Sequence, residues 1–320
     1  MKKNKIKDTG LEVTELSFGT SSLGSMPDTY GYEVPEDRAQ KTLNRFFQGP
    51  VNMLDTSRNY AMGESEKRIG KAIKENGGWP NGFLLSTKLD RNMDTLVLDK
   101  NRVRESLEES LKTLNVDSVD ILFLHDPEYA KDITDITKKD GAMDELFKIK
   151  NEGLAKAAGV AMGKVDIMFP LLKDWDFDVI INHNRYTLIN REANEMYDYA
   201  SSKNIAIFNA APYAGGVLAK GPDNFKKITY QDATEDKLAL AREFEKVCKK
   251  HNVELGAAAL QFSLRDNRIT STICGVTSVE SIEKNLAWAN TNIPEEFWNE
   301  VLKLPYSTKD PESERNFTPG

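Results

Sequence analysis

Apolar and polar positions along the chain alternate between two periods. Short apolar runs, among them Val51-Asn-Met-Leu54, Phe83-Leu-Leu-Ser-Thr-Lys88 and Val119-Asp-Ile-Leu-Phe-Leu-His125, read as buried strands. Between them apolar residues return at helical spacing: Ile69, Ala72 and Ile73 on one face, then Val103, Leu107, Leu111 and Leu114. Further strand signals fall at 15–20, 154–160, 178–182, 205–209 and 271–275, and helices fill the intervals. The helix at 35–47 opens on Pro35, where a missing N–H does no harm. Strands alternating with helices in this way predict an α/β chain folded as a (β/α)8 TIM barrel. Ahead of it, two short alternating runs flank Asp8-Thr-Gly10 and predict an N-terminal β-hairpin. Residues 1–305 are expected to form a single domain, with 221–233 as an inserted loop. Residues 306–320 are polar and contain proline, and are expected to lie over the surface or be disordered.

Composition narrows this picture. A chain of 320 residues with 39% hydrophobic content can fill one large core. The net charge of -7 is spread over mixed signs, so no clustered basic surface for nucleic acid is expected. No apolar run approaches the ~18–20 residues of a membrane span. The basic opening Met-Lys-Lys-Asn-Lys has no apolar signal core behind it, and a cytoplasmic location is the expectation. Two cysteines and three histidines, widely spread, offer neither a disulfide framework nor metal-ligand spacing.

The chemistry gathers at strand ends. Asp55 closes one strand and Tyr60 lies on the loop leaving it; Lys88 and His125 close the next two. Singly, each has a plain structural reading: a helix cap, a ring packed under a loop, a solvated lysine, a turn cap. Together they form a proton-handling set at the edge where barrels do chemistry. A lysine held charged by a carboxylate lowers the pKa of a nearby phenol. The histidine can donate to the same oxygen or orient a substrate. A tyrosine so tuned serves as general acid or base.

The pattern DTSxxYxxGxSExxxG over residues 55–70, then Ser86-Thr-Lys88, then Leu124-His-Asp-Pro127, resembles the signature of the aldo-keto reductase superfamily. The resemblance runs from about Gly10 to Asn290. It implies that Asp55, Tyr60, Lys88 and His125 are the catalytic set and that the cofactor is a nicotinamide dinucleotide. Asn209-Ala-Ala-Pro-Tyr-Ala-Gly-Gly-Val-Leu218 matches the pyrophosphate and nicotinamide side, with Ala211, Pro212, Tyr213 and Gly215 as contacts. Many members carry a stacking aromatic where this chain has Ala210, and Tyr213 is the candidate substitute. The stretch 273–285 matches the adenosine side, with Gly275, Val276, Thr277, Ser281, Lys284 and Asn285. Gly19 and Thr20 match contacts near nicotinamide. His183 stands where a glutamine is usual, open between a site role and plain packing, and Ala161-Met162 replace the usual Ser-Asn pair. The usual cations for an extra phosphate are missing after the last strand, which points to NAD, with NADP possible.

Within the superfamily, Leu124-His-Asp-Pro-Glu128, residues 184–189 and residues 214–219 look like the branch holding the aldose 1-dehydrogenases, L-galactose dehydrogenase and pyridoxal 4-dehydrogenase. That resemblance implies oxidation of an aldose at C1. Reduction of an aldehyde or ketone with NADPH is the alternative within enzymes. A cofactor-binding partner protein, like the potassium-channel β subunits, is the alternative of another class. The expected partner is a small sugar or aldehyde.

Overall fold

In the computed structural model, which describes residues 1–313, eight parallel strands close into a barrel. Strands β1 (Lys3–Ile6) and β2 (Leu11–Thr14) pair antiparallel as the expected hairpin. The barrel strands are β3 (Leu16–Gly19), β4 (Met53–Asp55), β5 (Leu84–Leu89), β6 (Val119–His125), β7 (Ala155–Met162), β8 (Val179–His183) and β9 (Ala206–Ala210). After them come a short hairpin, β10 (Lys227–Ile228) with β11 (Gln231–Asp232), and the last barrel strand, β12 (Ile269–Gly275). β12 pairs with both β9 and β3 and closes the ring.

Period-two alternation builds two cores. Ile121 and Phe123 of β6 point into the barrel, where they meet Met53, Val179, Ile181 and Phe208. Ile6, Leu11 and Val13 of the hairpin join that inner cluster, so the hairpin plugs one end. Leu122 and Leu124 face the other way, into the larger core between strands and helices. That core takes Ile69, Ala72 and Ile73 from the helix Glu64–Glu75, and Val103, Leu107 and Leu114 from the helix Lys100–Leu114. Each fully buried Ile, Val or Leu here contributes about 1.5–3 kcal/mol.

Register then sets the open end. Gly19 pairs with Asp55, Asp55 with Ser86, Lys88 with Phe123, and His125 with Ala161. Further round, His183 pairs with Ala210, and Gly275 with Gly19. The strand-end residues singled out from the sequence therefore share one rim. Among the described residues, no helix is long and apolar enough to cross a membrane, and no cluster could hold a metal ion.

Candidate active site

The rim opens on a cavity of about 510 Å³. At its floor Lys88 and Asp55 form an ion pair with almost no access to solvent. Lys88 Nζ donates to both Asp55 oxygens, at 2.9 and 2.7 Å, and to the Thr56 carbonyl at 2.6 Å. Ser86 Oγ donates to Asp55 Oδ1 at 2.6 Å. An ammonium has three N–H groups, and these acceptors engage them.

Tyr60 opens a tight turn, Tyr60–Gly63, in which Ala61 and Met62 both adopt left-handed backbone (φ 51° and 53°). Such conformations are costly outside glycine and persist only where the surroundings hold them. Here Gly24 leaves the space the turn occupies: a methyl group at that position would come within 2.6 Å of the Ala61 Cβ and 2.9 Å of the Ser65 nitrogen. The turn lays the half-buried Tyr60 ring beneath Lys88, whose Nζ sits 4.7 Å from the ring centre. The expected lowering of the phenol is not what this geometry yields. Burial, then the Asp55 carboxylate, pushes Tyr60 well above the ordinary phenol range. Lys88 meets the ring face, and its charge is matched by Asp55.

His125 lies edge-on to Tyr60, with ring centres 5.8 Å apart. Its Nδ1 is 2.6 Å from Asp90 Oδ1 and 3.2 Å from Ser57 Oγ. Asp90 is wholly buried; its other oxygen accepts from Ser57 Oγ at 2.5 Å and from the Asn59 N–H at 3.0 Å. Burial opposes charge on His125, but Asp126 and Asp90 outweigh it and raise its pKa above the ordinary 6.5. Sequence reasoning passed over Asp90. The signal was there: it follows Lys88 by two residues, and alternation along a strand directs such residues to one side.

On the cofactor side, Gly19, Ala211, Tyr213 and Gly215 line the cavity, as do Gly275, Thr277, Ser281, Lys284 and Asn285. Three expected contacts do not. Thr20 is buried, with its hydroxyl donating to the Asp55 carbonyl at 2.9 Å; Pro212 is buried; and Val276 is buried with its N–H on the Gly19 carbonyl. Thr20 and Val276 brace the strand ends. Tyr213 donates to Asn285 Oδ1 at 2.5 Å and meets Trp288 edge-on at 5.5 Å, so its ring belongs to the wall beside Asn285. The helix Val279–Asn290 starts here, capped by Ser278 and Ser281. Lys284 lies over the Trp288 ring at 4.5 Å. Arg38, which the sequence did not single out, reaches Thr277 at 3.5 Å. A helix N-terminus, hydroxyls, nearby cations and an open Gly275, around which a side chain would touch nothing within 4 Å, suit a dinucleotide.

The far wall is built in part by the tail, whose described residues lie over the surface as expected except for the buried Glu312. Residues 306–313 run back across the rim as a strap. Ser307 bridges to Asn190, and the Asn190 amide donates to the Lys309 carbonyl at 2.9 Å. The strap delivers Glu312, which is only 4% exposed, to the fully buried Arg185. Arg185 Nη1 donates to Glu312 Oε1 at 2.8 Å and Nη2 to Asp310 Oδ1 at 2.6 Å. His183 Nδ1 lies 3.6 Å from Glu312, and both line the cavity. Burial lowers the His183 pKa, with Glu312 opposing. His183 therefore favours its neutral form on the cavity wall. Residues 314–320 of the expected tail lie outside the described residues.

Comparison with known proteins sets this site in context. Residues 15–304 match the model of the aldo/keto reductase family. L-galactose dehydrogenase of Arabidopsis thaliana is 31% identical over 284 residues, covering 88% of this chain and 85% of that protein. D-threo-aldose 1-dehydrogenase of a Pseudomonas species is 26% identical over 320 residues, with 92% and 94% covered. Among solved structures, an aldo-keto reductase from Bacillus halodurans in its holo form superposes with a TM-score of 0.77 at 21% identity, over 99% of this chain and 100% of that one.

Proposed function

The chain belongs to the aldo/keto reductase family of oxidoreductases, which work with NAD(P)H, and from that premise we propose that it oxidises an aldose at C1 to the lactone, with NAD as the preferred acceptor. The observation that carries this reading is the Tyr60–His125 pair, edge to face at the rim with the Lys88–Asp55 ion pair against the Tyr60 ring. Likeness to two sugar dehydrogenases supports the substrate class. So do Asp126 and Glu312, carboxylates on the cavity wall that can accept from sugar hydroxyls.

The dinucleotide, when bound, takes up or supplies the hydride at its nicotinamide ring; Gly19, Ala211 and Gly215 would hold that half, and Tyr213, Thr277, Ser281, Lys284 and Asn285 the adenosine half. Tyr60, as phenolate, takes the proton of the C1 hydroxyl while hydride leaves C1, so the C–O bond becomes C=O. In reverse, the Tyr60 phenol protonates the forming alkoxide. Lys88 and Asp55 hold the turn and its charge in place, and His125 positions the reacting oxygen. Donors fixed around a developing oxyanion are worth several kcal/mol of barrier. For the adenosine half, Gly275, Val276 and Ser281 stand where NADP-dependent relatives often carry a basic residue, a Ser and an Arg for the 2′-phosphate, which supports NAD.

One observation favours a second reading, reduction of an aldehyde: burial keeps Tyr60 in its protonated form. A screen of free aldoses and simple aldehydes, with both dinucleotides and read at the reduced-nicotinamide band, tests both. Turnover of aldoses supports the proposal, and turnover of aldehydes alone supports the second reading. No turnover at all sinks both in favour of a cofactor-binding partner protein.

A further inference from the structure

Two histidines share the cavity, and their surroundings differ. His183 has its Nδ1 toward Asn184 and Glu312 on the far wall, 3.2 and 3.6 Å away. His125 has its Nδ1 on Asp90, at 2.6 Å, with no solvent reaching that carboxylate. Asp90 is over-determined: Ser57 and the Asn59 N–H occupy one oxygen, Ser106 Oγ accepts from the Asp90 N–H at 2.9 Å, and Arg102 donates to its carbonyl at 3.0 Å. An ionised carboxylate only accepts, so the proton of the 2.6 Å contact sits on Nδ1. Among the described residues, His125 Nε2 has no hydrogen bond; Asp126 Oδ1, 3.7 Å off, is beyond reach.

We propose that Asp90 is a positioning residue of the active site: it fixes the Nδ1 proton of His125, turns Nε2 to the cavity as the free nitrogen, and favours the imidazolium, so that the reacting oxygen meets a charged N–H beside the Tyr60 phenol. This rests on the reading of the site given above. Its consequence is a division of labour. Pairs of titratable groups held in opposite states mark acid and base roles, and here His125 is the charged donor while His183 stays neutral. The transferred proton passes to or from Tyr60, and His125 holds the oxygen with a donor stronger than a neutral ring provides.

The other charges facing His125 are Asp126 from its own loop and Lys88 at the end of β5; the titratable His183 across the cavity and Tyr60 also face it, and both favour their neutral forms. Lys88 opposes the imidazolium. Asp126 favours it by charge alone, whereas Asp90 adds the hydrogen bond. The two carboxylates can be told apart.

The chain has only three histidines, so their ring signals can be followed individually by NMR. In the wild type, His125 should titrate above the ordinary value with its proton on Nδ1, and His183 below it. Asp90→Asn should lower the His125 midpoint by about 1–3 pH units, the usual effect of losing an adjacent opposite charge. The limb of kcat/KM assigned to His125 should move with it, and Asp90→Glu should restore most of the shift. Asp126→Asn should move the midpoint less. The proposal is overturned if Asp90→Asn leaves the midpoint in place, or if Asp126→Asn moves it further. Should Asp90→Asn not fold, the wild-type spectrum decides: a neutral ring at neutral pH, or an Nδ1 without its proton, overturns it. These titrations need no substrate. Failure to turn over sugars would remove the proposed reaction and leave this result standing.

Discussion

Replacing Lys88 by Met removes a charge while keeping most of the bulk of the side chain. The structure gives the size of the effect. Asp55 is 4% exposed and would keep Ser86 Oγ as its donor, having lost two charge-assisted bonds at 2.9 and 2.7 Å. Hydrogen bonds to charged groups contribute about 1.5–3 kcal/mol each, so two come to roughly 3–6 kcal/mol. Independently, stranding one charge of a buried pair costs about 3–5 kcal/mol. The two routes agree, and Lys88→Met should lose about that much stability. Adding Asp55→Asn removes the stranded charge, so the double variant should recover roughly half of the loss. Urea denaturation followed by both circular dichroism and tryptophan fluorescence measures this, provided the two transitions coincide. Two results would refute the reasoning. One is a Lys88→Met stability within about 1 kcal/mol of wild type, the range of an exposed pair. The other is a double variant less stable than Lys88→Met alone. In turnover, Lys88→Met should move the alkaline limb of oxidation upward, because one positive charge beside the phenol is gone.

Tyr60→Phe should bind dinucleotide normally and lose about two to four powers of ten in turnover, the share of a positioned proton donor. In the wild type, the raised Tyr60 pKa means that oxidation climbs steadily with pH into the alkaline range while reduction stays flat; a pH-independent oxidation rate would remove Tyr60 as the base. Gly24→Ala should displace the Tyr60 turn, and a shift of that kind costs about 100-fold in kcat; unchanged kcat would show that the turn is held from elsewhere. Glu66, wholly buried with Thr87 Oγ1 at 2.6 Å, is pushed up to about 7 by burial. Its neutral form belongs to the folded state, so its contribution is intact below the ordinary carboxylate range and lost as pH rises through about 7. Glu66→Gln should therefore melt higher than wild type in alkaline buffer and gain little in acid; equal gains at both would count against the charge. NAD should show the higher kcat/KM of the two dinucleotides, and Arg38→Ala should weaken NADP use more than NAD use; an equal loss with both would place Arg38 away from any 2′-phosphate.

The barrel and its rim were legible because the relevant signals are local. Asp55, Lys88 and His125 each end an apolar run, and parallel register brings run ends together. Tyr60 was legible from its distance to Asp55 within one motif. What escaped depends on contacts distant in sequence or on direction. Glu312 meets Arg185 across 127 residues, and no local pattern announces that a polar tail will bury a carboxylate. Thr20 and Val276 fell next to the site in sequence, but their backbone and hydroxyl groups brace neighbouring strand ends. The Tyr60 pKa went the other way because a residue list supplies a cation without showing that its donors are already engaged. Asp90 needed only one more step of the alternation that found Lys88.

The strap gives the molecule a seam. Side chains at the barrel strand ends are fixed by ladders on both sides, so altering one disturbs its neighbours. Residues 306–313 add no rung to the barrel ladders: Ser307 bridges to Asn190 outside the barrel strands, and Glu312 reaches Arg185 beside His183, and yet they furnish part of the wall that faces the cavity. Substrate preference can therefore be rewritten there while the proton-handling end keeps its geometry. The natural unit of exchange is the strap together with Arg185, because a guanidinium at that depth requires Glu312 and Asp310. A redesign that carried all three across as one cassette would respect the charge balance, and one that replaced the strap alone would leave a cation stranded in the wall.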